Sequence, residues 1–367
     1  MSNFKEDIEL LSKPGDVILE TIMFLKMTQV ELAERMGKTP SKINDIISGK
    51  EPITLSSAFL LEKVLSIDAQ FWLNREVIYR EKLSRFQQNE ENKNYILWAK
   101  EQPVKNLKKL GYISSDASGA ELANECLKFY GVASPNQWND IYINTLSSPM
   151  YRKSGYHKNS ISSLSALLRI GEIQIRKNVI KAYDKKVFKS NLIKIKELVR
   201  IHPEDLVIQT KRLCEEAGVY LVYSPNISKA PVSGIARWIG GSPLIQITDR
   251  FKTNDHFWFS FFHEAGHILL HGKKEIFIDS GIDNENDYEL REKEANEFAS
   301  KILLPIDIIK ELENHSEITE RAVRQLARIN KTHPAIVIGR LQHLKKVPFS
   351  FGNSFKLKII FDEEIMR

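Results

Sequence analysis

Cysteine is nearly absent from this chain: Cys126 and Cys214 are the only two in 367 residues, and neither belongs to a CxxC pair. A disulfide framework and a cysteine-built zinc knuckle are thereby excluded. Any metal site must draw on histidine and carboxylate. Long apolar runs are also missing. The densest, Phe257–Phe262, spans six residues, far short of the roughly 18 that a membrane span needs. The first residues, MSNFKEDIELL, lack the apolar core of a signal peptide. The expected setting is the cytoplasm, without a membrane partner. Repeats and low-complexity tracts are absent. With 42% hydrophobic and 27% charged residues, the composition is near the globular average, which excludes wholesale disorder and fibrous architectures. The length predicts two or three domains, each able to bury a core without staples.

Excess charge is small overall, with 53 Lys and Arg against 47 Asp and Glu, but it is unevenly spread. Residues 1–80 carry ten Lys and Arg and twelve Asp and Glu, net −2. Residues 151–200 carry thirteen and three, net +10, and residues 275–297 carry two and nine, net −7. The net value therefore says little about partners.

The first 80 residues read as short, tightly punctuated helices. Asp16–Met27 is amphipathic. Thr28-Gln-Val-Glu31 forms a capping box ahead of a helix near Gln29–Met36 that buries Val30, Leu32, Ala33 and Met36. Gly37-Lys-Thr39 makes the turn. Thr39 as N-cap and Pro40 at the first helical position open the next helix, which Gly49 closes. Two further helices follow, near Ser56–Leu65 and Ala69–Arg80. Helix, glycine-containing turn and helix make a helix-turn-helix.

The strings Thr28-Gln-Val-Glu-Leu-Ala-Glu34, Ser41–Ile47, Ile47-Ser-Gly-Lys50, Ile53-Thr54 and Phe71-Trp-Leu-Asn74 resemble XRE/Cro-type DNA-binding domains, specifically the HigA antitoxin branch. The resemblance implies that the second helix of the unit enters the major groove. Ser41, Lys42, Asn44 and Asp45 are exposed there, and Gln29, Lys38 and Lys50 flank it. DNA is the partner so implied. The net −2 lacks the basic footprint of phosphate binding, so a protein-binding role for the same fold stands beside it. Helix-turn-helix proteins commonly bind palindromes as dimers, so a homodimer is expected.

Residues 81–204 read as helical, broken by Pro103, Gly111, Gly119, Gly131 and Pro135. The positive charge of 160–200 reads as a solvated face, as a supplementary nucleic-acid surface or as a docking face for an acidic partner. From Asp205 the pattern changes. Asp205–Gly218 is a helix, Val219–Tyr223 a strand, and Gly234–Ile239 and Pro243–Thr248 flank a Gly240-Gly-Ser242 hairpin signal. The expected architecture is multidomain: an all-α helix-turn-helix domain at 1–80, a helical middle region at 81–204, and an α+β domain at 205–367, zincin-like by the HExxH motif it holds at 263–267.

Chemistry concentrates in His263-Glu-Ala-Gly-His267, an HExxH motif on a helix that Asn254 or Asp255 can cap. Residues four apart lie about 40° apart around a helix and one turn along it, so both imidazoles reach one ion. Glu264 then faces the open coordination position as a general base. Catalytic zinc usually takes a third protein ligand. Position 273 is Lys273, which excludes a histidine six residues after His267. In Arg291-Glu-Lys-Glu-Ala-Asn-Glu-Phe-Ala299 two glutamates compete. At about 100° per residue, Glu292 lies about 50° from the apolar axis and Glu294 about 110° away. Glu292 is therefore the expected ligand and Glu294 the alternative. Asn296 shares the Glu292 face and can orient a zinc-bound histidine from behind. His271, one turn beyond His267, reads as a helix-terminal residue satisfying carbonyls, as a second such contact or as a direct ligand.

The strings Val232–Ile239, Pro243–Arg250, Phe257–His271 and Glu292–Ala299 with Leu303-Leu-Pro305 are similar to the ImmA/IrrE metallopeptidase domain over about residues 231–305. The whole chain resembles a HigA-type domain fused to such a peptidase. The resemblance implies one Zn²⁺ per chain held by His263, His267 and Glu292, with Glu264 as base, and a regulatory protein such as a repressor as substrate. Tyr288 and Arg237 are candidate oxyanion donors. The acidic stretch Asp279–Glu294 reads as a solvated loop or as a steering surface for a basic substrate. The alternative function is a HigA-like repressor or antitoxin whose peptidase-like domain serves as a sensor or partner-binding module. Thr319–Ile329 and Pro334–Leu344 read as C-terminal packing of the peptidase domain, and Lys356–Phe361 as a final strand.

Overall fold

A computed structural model describes residues 12–143, 158–176, 178–272, 285–305 and 318–361. The chain divides into two compact units, Met1–Ala99 with Asp116–Cys126, and Lys100–Ser115 with Leu127–Arg367.

The first unit is built from α1 (Pro14–Phe24), α2 (Gln29–Arg35), α3 (Pro40–Ile47), α4 (Leu55–Leu65) and α5 (Ala69–Lys93). Local chemistry sets its starts. The hydroxyls of Thr28, Thr39 and Thr54 accept the backbone N–H of Glu31, Lys42 and Ser57. Each removes one of the orphan donors at a helix start. The Glu31 carboxylate does not complete the capping box, because it takes the Arg35 guanidinium at 2.8 Å one turn on. Gly49 adopts φ +75° after α3, a left-handed conformation that glycine enters without Cβ strain. Ile18, Ile22, Leu32, Ala33, Met36, Ile43, Ile47, Leu61 and Trp72 form one core. Val30, expected inside, is 52% exposed, because α2 buries only the Leu32/Ala33/Met36 side. The helix expected to close near Arg80 runs on to Lys93. No glycine or proline interrupts it, and Glu76–Arg80 and Glu81–Arg85 pairs brace successive turns.

Short helices follow: α6 (Ile96–Glu101), α7 (Val104–Lys109), α8 (Gly119–Tyr130) and α9 (Pro135–Trp138). Then come α10 (Lys158–Ile175), α11 (Lys185–Ile201) and α12 (Leu206–Glu216). The only sheet among the described residues has three strands, β1 (Tyr220–Ser224), β2 (Gly234–Ile239) and β3 (Ser242–Thr248), in the order β1-β3-β2. β1 runs parallel to β3 and β2 antiparallel. Gly240 and Gly241, at φ +58° and +90°, supply the two positive-φ positions that a tight two-residue hairpin needs.

Strand alternation divides the sheet's faces. Ala236, Ile245 and Ile247 join the main core with α13 (Asn254–Leu270). On the other face Leu244 packs with Val222 and Ile175 of α10. Polar clamps also bind α10 to that face. Gln246 Nε2 donates to the Leu167 carbonyl at 2.7 Å, and Gln174 Nε2 donates to the Tyr223 carbonyl at 3.0 Å. α14 (Glu285–Leu303) packs across α13, and α15 (Glu320–Ile329) and α16 (Pro334–His343) complete the core through Val323, Leu326, Ile336, Val337 and Leu341. No helix of the described residues is long and apolar enough to cross a membrane.

The C-terminal segment does not form the expected strand. It makes a single antiparallel bridge, Thr253 with Lys358, flanked by backbone bonds from Asn254 N–H to the Leu357 carbonyl and from Ile359 N–H to the Lys252 carbonyl, and side chains add to it. Asn254 Oδ1 accepts the Leu357 N–H at 3.1 Å, and Lys356 pairs with Asp255 at 2.8 Å. Asn254 and Asp255 are thus occupied elsewhere. Thr253, not either of them, takes the N-cap position of α13.

His333 caps α16. Its Nδ1 accepts the Ala335 N–H at 3.2 Å and lies 3.3 Å from Asn254 Nδ2. Both contacts need a deprotonated Nδ1. Burial, helped by His202 nearby, lowers the His333 pKa to about 4. The folded pKa lies below the unfolded one of about 6.5, so the neutral ring's contribution is complete above about pH 6.5 and is lost as pH falls toward 4. Thermal unfolding followed across that window is expected to show a falling midpoint. His333→Asn, which keeps a capping acceptor, is expected to flatten part of the slope. An unchanged slope in the variant refutes the assignment.

Candidate metal centre

The site is built on α13. One side of this helix is apolar, with Phe257, Trp258, Phe261, Phe262, Ala265, Ile268 and Leu269 buried. The HExxH side therefore faces β2 and α14. Small residues let α14 approach closely. A Cβ on Gly266 would stand 3.1 Å from Phe298 Cδ1 and 3.3 Å from the Ala295 Cα. Ala295 and Ala299 are fully buried. This close crossing carries Glu292 to the histidines.

Three ligand atoms converge. His263 Nε2 and His267 Nε2 are 3.1 Å apart. Glu292 places Oε2 3.4 Å from the first and Oε1 3.2 Å from the second. A tetrahedral ion binding nitrogen and oxygen at about 2.0–2.1 Å separates its ligand atoms by about 3.3–3.4 Å. The observed spacings fit that edge length. Among the described residues, this trio is the one His/Cys/Asp/Glu group close enough to share an ion. The rings are aimed from behind. Asn296 Oδ1 lies 3.1 Å from His263 Nδ1, and His271 Nδ1 lies 3.0 Å from His267 Nδ1. With Nδ1–H donated to Asn296, His263 turns an Nε2 lone pair inward.

The electrostatics suit a cation. For Glu292, burial works upward, but hydrogen bonds from His263 and His267 and their charges hold its carboxyl well below the usual range. For His263, burial opposes protonation, while Glu292, Glu264 and Asn296 outweigh it and raise the pKa. A cluster that favours positive charge on His263 is one where a metal ion can replace a proton.

Glu264 stands apart from the trio, with only 7% of its surface exposed. The Ala236 N–H of β2 donates to its carboxylate, and burial raises its pKa against the lowering pull of His263 and His267. Gly234 makes room for it: a Cβ there would lie 2.6 Å from Glu264 Oε1 and 2.7 Å from its Cγ. Sequence reasoning missed both supports. The glycine opening a strand was a visible signal, whereas the Ala236 amide carried none. Gly234→Val is expected to push the carboxyl aside. The loss should appear in kcat on a peptide substrate, with zinc stoichiometry retained. Unchanged kcat would show that Glu264 does not need this gap.

Other candidates fare differently. Glu294 stays on the outer side of α14, 47% exposed, and contacts His271 Nε2 at 3.0 Å rather than the trio. Arg237 is not an oxyanion donor. By strand alternation it points to the α10 face, where its guanidinium takes Glu172 at 3.0 Å and the Leu168 carbonyl. The Tyr288 side chain and residues 279–284 of the acidic stretch lie outside the described residues. In the first unit Lys38, Ser41, Lys42, Asn44 and Lys50 are exposed, whereas Gln29 and Asp45 are half-buried. Lys42 is paired with Glu51.

Two parts of the chain match known families. Residues 214–331 match the family model of the IrrE N-terminal-like domain, Peptidase_M78, and residues 25–72 match the helix-turn-helix model HTH_3. Virulence-associated protein I of Dichelobacter nodosus is 29% identical over 85 residues, covering 23% of this chain and 77% of that protein. The uncharacterized HTH-type transcriptional regulator YddM of Escherichia coli (strain K12) is 34% identical over 62 residues, covering 17% of this chain and 66% of that protein.

Proposed function

With a helix-turn-helix at 25–72 joined to an IrrE-like Peptidase_M78 domain at 214–331, we propose that the chain is a zinc-dependent endopeptidase of zincin-like fold that cleaves a regulatory protein. The observation that carries this reading is the trio His263, His267 and Glu292 at tetrahedral spacing, with the buried carboxyl of Glu264 on the same helix. These three residues would hold one zinc ion and leave a coordination position open to solvent and substrate.

Zinc, when bound, supplies Lewis acidity to a peptide carbonyl and to a water. The chain's own residues do the rest. Glu264 takes a proton from the attacking water as the new C–O bond forms. It then returns that proton to the amide nitrogen as the C–N bond breaks. Its raised pKa suits both halves of that exchange. Asn296 holds the His263 ring with Nε2 facing inward. Gly234 and the Ala236 amide hold the Glu264 carboxyl in place.

The helix-turn-helix would bring the peptidase to an operator, with Ser41, Lys42 and Asn44 facing the groove and Gln29, Lys38 and Lys50 beside it. The same domain, or a homodimer formed through it, would otherwise recognise the repressor itself. A second reading, a HigA-like repressor or antitoxin with a sensing peptidase-like domain, is favoured by the regulator name of one relative. Both readings put the chain in the cytoplasm.

One experiment separates them. The purified chain is assayed for zinc and incubated with candidate repressor proteins, with and without chelator. Chelator-sensitive cleavage supports the peptidase. Stoichiometric zinc without cleavage supports the sensor.

A further inference from the structure

The basic residues between 160 and 200 do not share one environment. Arg169 of α10 is buried, whereas α11 carries its lysines outward. The inner face of α11 is fixed by packing: Phe188, Leu192, Ile195, Leu198 and Val199 are buried, and Asn191 Nδ2 donates to the Leu213 carbonyl of α12 at 2.8 Å. At about 100° per residue, Lys185, Lys189, Lys196 and Arg200 fall within about 60° of arc outside that face, with Lys186 about 40° further round. Lys185, Lys186, Lys189 and Arg200 are exposed and Lys196 is half-buried. At 1.5 Å per residue the row is about 22 Å long.

Two carboxylates lie beside this row, and both are engaged. Asp184 Oδ1 accepts the N–H groups of Lys186 and Val187, and Glu197 pairs with Arg200 at 2.9 Å. Among the described residues no carboxylate pairs with Lys185, Lys186, Lys189 or Lys196. Like charges three or four residues apart weaken a helix, and Lys185, Lys186 and Lys189 stand at those spacings. An anionic partner relieves that repulsion.

The helix-turn-helix leaves a deficit that this row fits. Residues 1–80 are net −2. There Lys42 is held by Glu51 and Arg35 by Glu31, so the flanking cations left for phosphates are Lys38 and Lys50. Phosphate neutralisation supplies essentially all sequence-independent DNA affinity, and a duplex offers one negative charge per about 1.7 Å of its axis. A row of cations about 22 Å long complements such a line of charge. We propose that the outer face of α11 is a sequence-independent binding surface for duplex DNA, with Lys185, Lys186, Lys189 and Lys196 on phosphates. The choice of DNA rests on the helix-turn-helix reading above. The surface itself belongs to the unit that holds the metal centre.

The test follows binding of the full chain to a fluorescent duplex of arbitrary sequence, by anisotropy, as salt is raised. The triple variant Lys185→Gln, Lys189→Gln, Lys196→Gln is expected to make log affinity against log salt shallower by about 2.7, three contacts at about 0.9 each. It is expected to weaken binding equally on duplexes of unrelated sequence. Zinc content and unfolding temperature are expected to stay at wild-type values. A control triple, Lys100→Gln, Lys105→Gln, Lys109→Gln, removes the same charge from α6 and α7 and is expected to keep the wild-type slope. An unchanged slope in the α11 variant overturns the proposal. So does an equal shift in the control, or no duplex binding by the wild type at low salt. Tighter binding of polyglutamate than of a duplex of equal charge also overturns it and assigns the face to an acidic protein. The α11 loss together with no effect of Lys38→Gln and Lys50→Gln on any duplex upholds the surface and counts against the helix-turn-helix reading alone.

Discussion

Glu264→Gln is expected to lower peptide-bond cleavage by roughly 10²–10⁴-fold, the range a positioned general base contributes, while zinc binds as before. The amide keeps the size of the carboxyl, so the gap left by Gly234 stays filled. It can still accept the Ala236 N–H through its oxygen. What it cannot do is accept a proton from water. The position favours a base. Glu264 sits beside His263 on the helix yet outside the converging trio, and it is 7% exposed. Burial raises its pKa, which strengthens it as a base and still permits release of the proton to the leaving amine. The measurement is a cleavage time course on gel or by mass spectrometry, with zinc content determined on the same preparations. Cleavage at the wild-type rate would remove Glu264 from the mechanism. Loss of zinc along with activity would show that its role is to hold the site.

The second large effect is the contrast between two glutamates two residues apart. Glu292→Ala is expected to weaken zinc binding by more than the roughly 10–100-fold that follows loss of an outer partner, because a coordinating oxygen is removed outright. Two histidines remain, too few for a catalytic zinc site. Glu294→Ala removes only the far end of the His271 contact, and a smaller loss is expected. Both substitutions lie on α14 and neither residue is in the apolar core, so unfolding is not expected to confound the comparison. Competition with a chelator ranks the two. A larger loss in Glu294→Ala than in Glu292→Ala would reverse the assignment of the third ligand.

That contrast also shows how far the sequence could be read. Helix geometry alone placed Glu292 near the apolar edge of its helix and Glu294 toward solvent. The structure has them 33% and 47% exposed, with Glu292 against both histidines. The spacing of His263 and His267, the threonine caps of α2 and α3, and the Gly240-Gly241 turn were equally legible. Each depends on residues within one or two turns. Val30 was misplaced because amphipathic periodicity marks a helix's apolar residues, not which of them its neighbours cover. The overlong α5 was missed because nothing local distinguishes a helix that stops from one that continues without a breaker.

By itself, then, the sequence determined the helix-turn-helix punctuation, the presence of an HExxH helix and the absence of cysteine ligands. These follow from backbone dihedral preference, capping and a period of 3.6, all short-range. Only the tertiary structure decided that Arg237 turns away from the site, since its face depends on strand parity and pairing register. Only it put Gly234 and the Ala236 amide against Glu264, and Glu294 against His271. Those juxtapositions join residues 23 to 30 positions apart on different elements. They exist because α13 and α14 cross closely at Gly266 and Ala295, and because β2 runs beside α13. Such contacts are fixed by packing between elements, which no local pattern encodes.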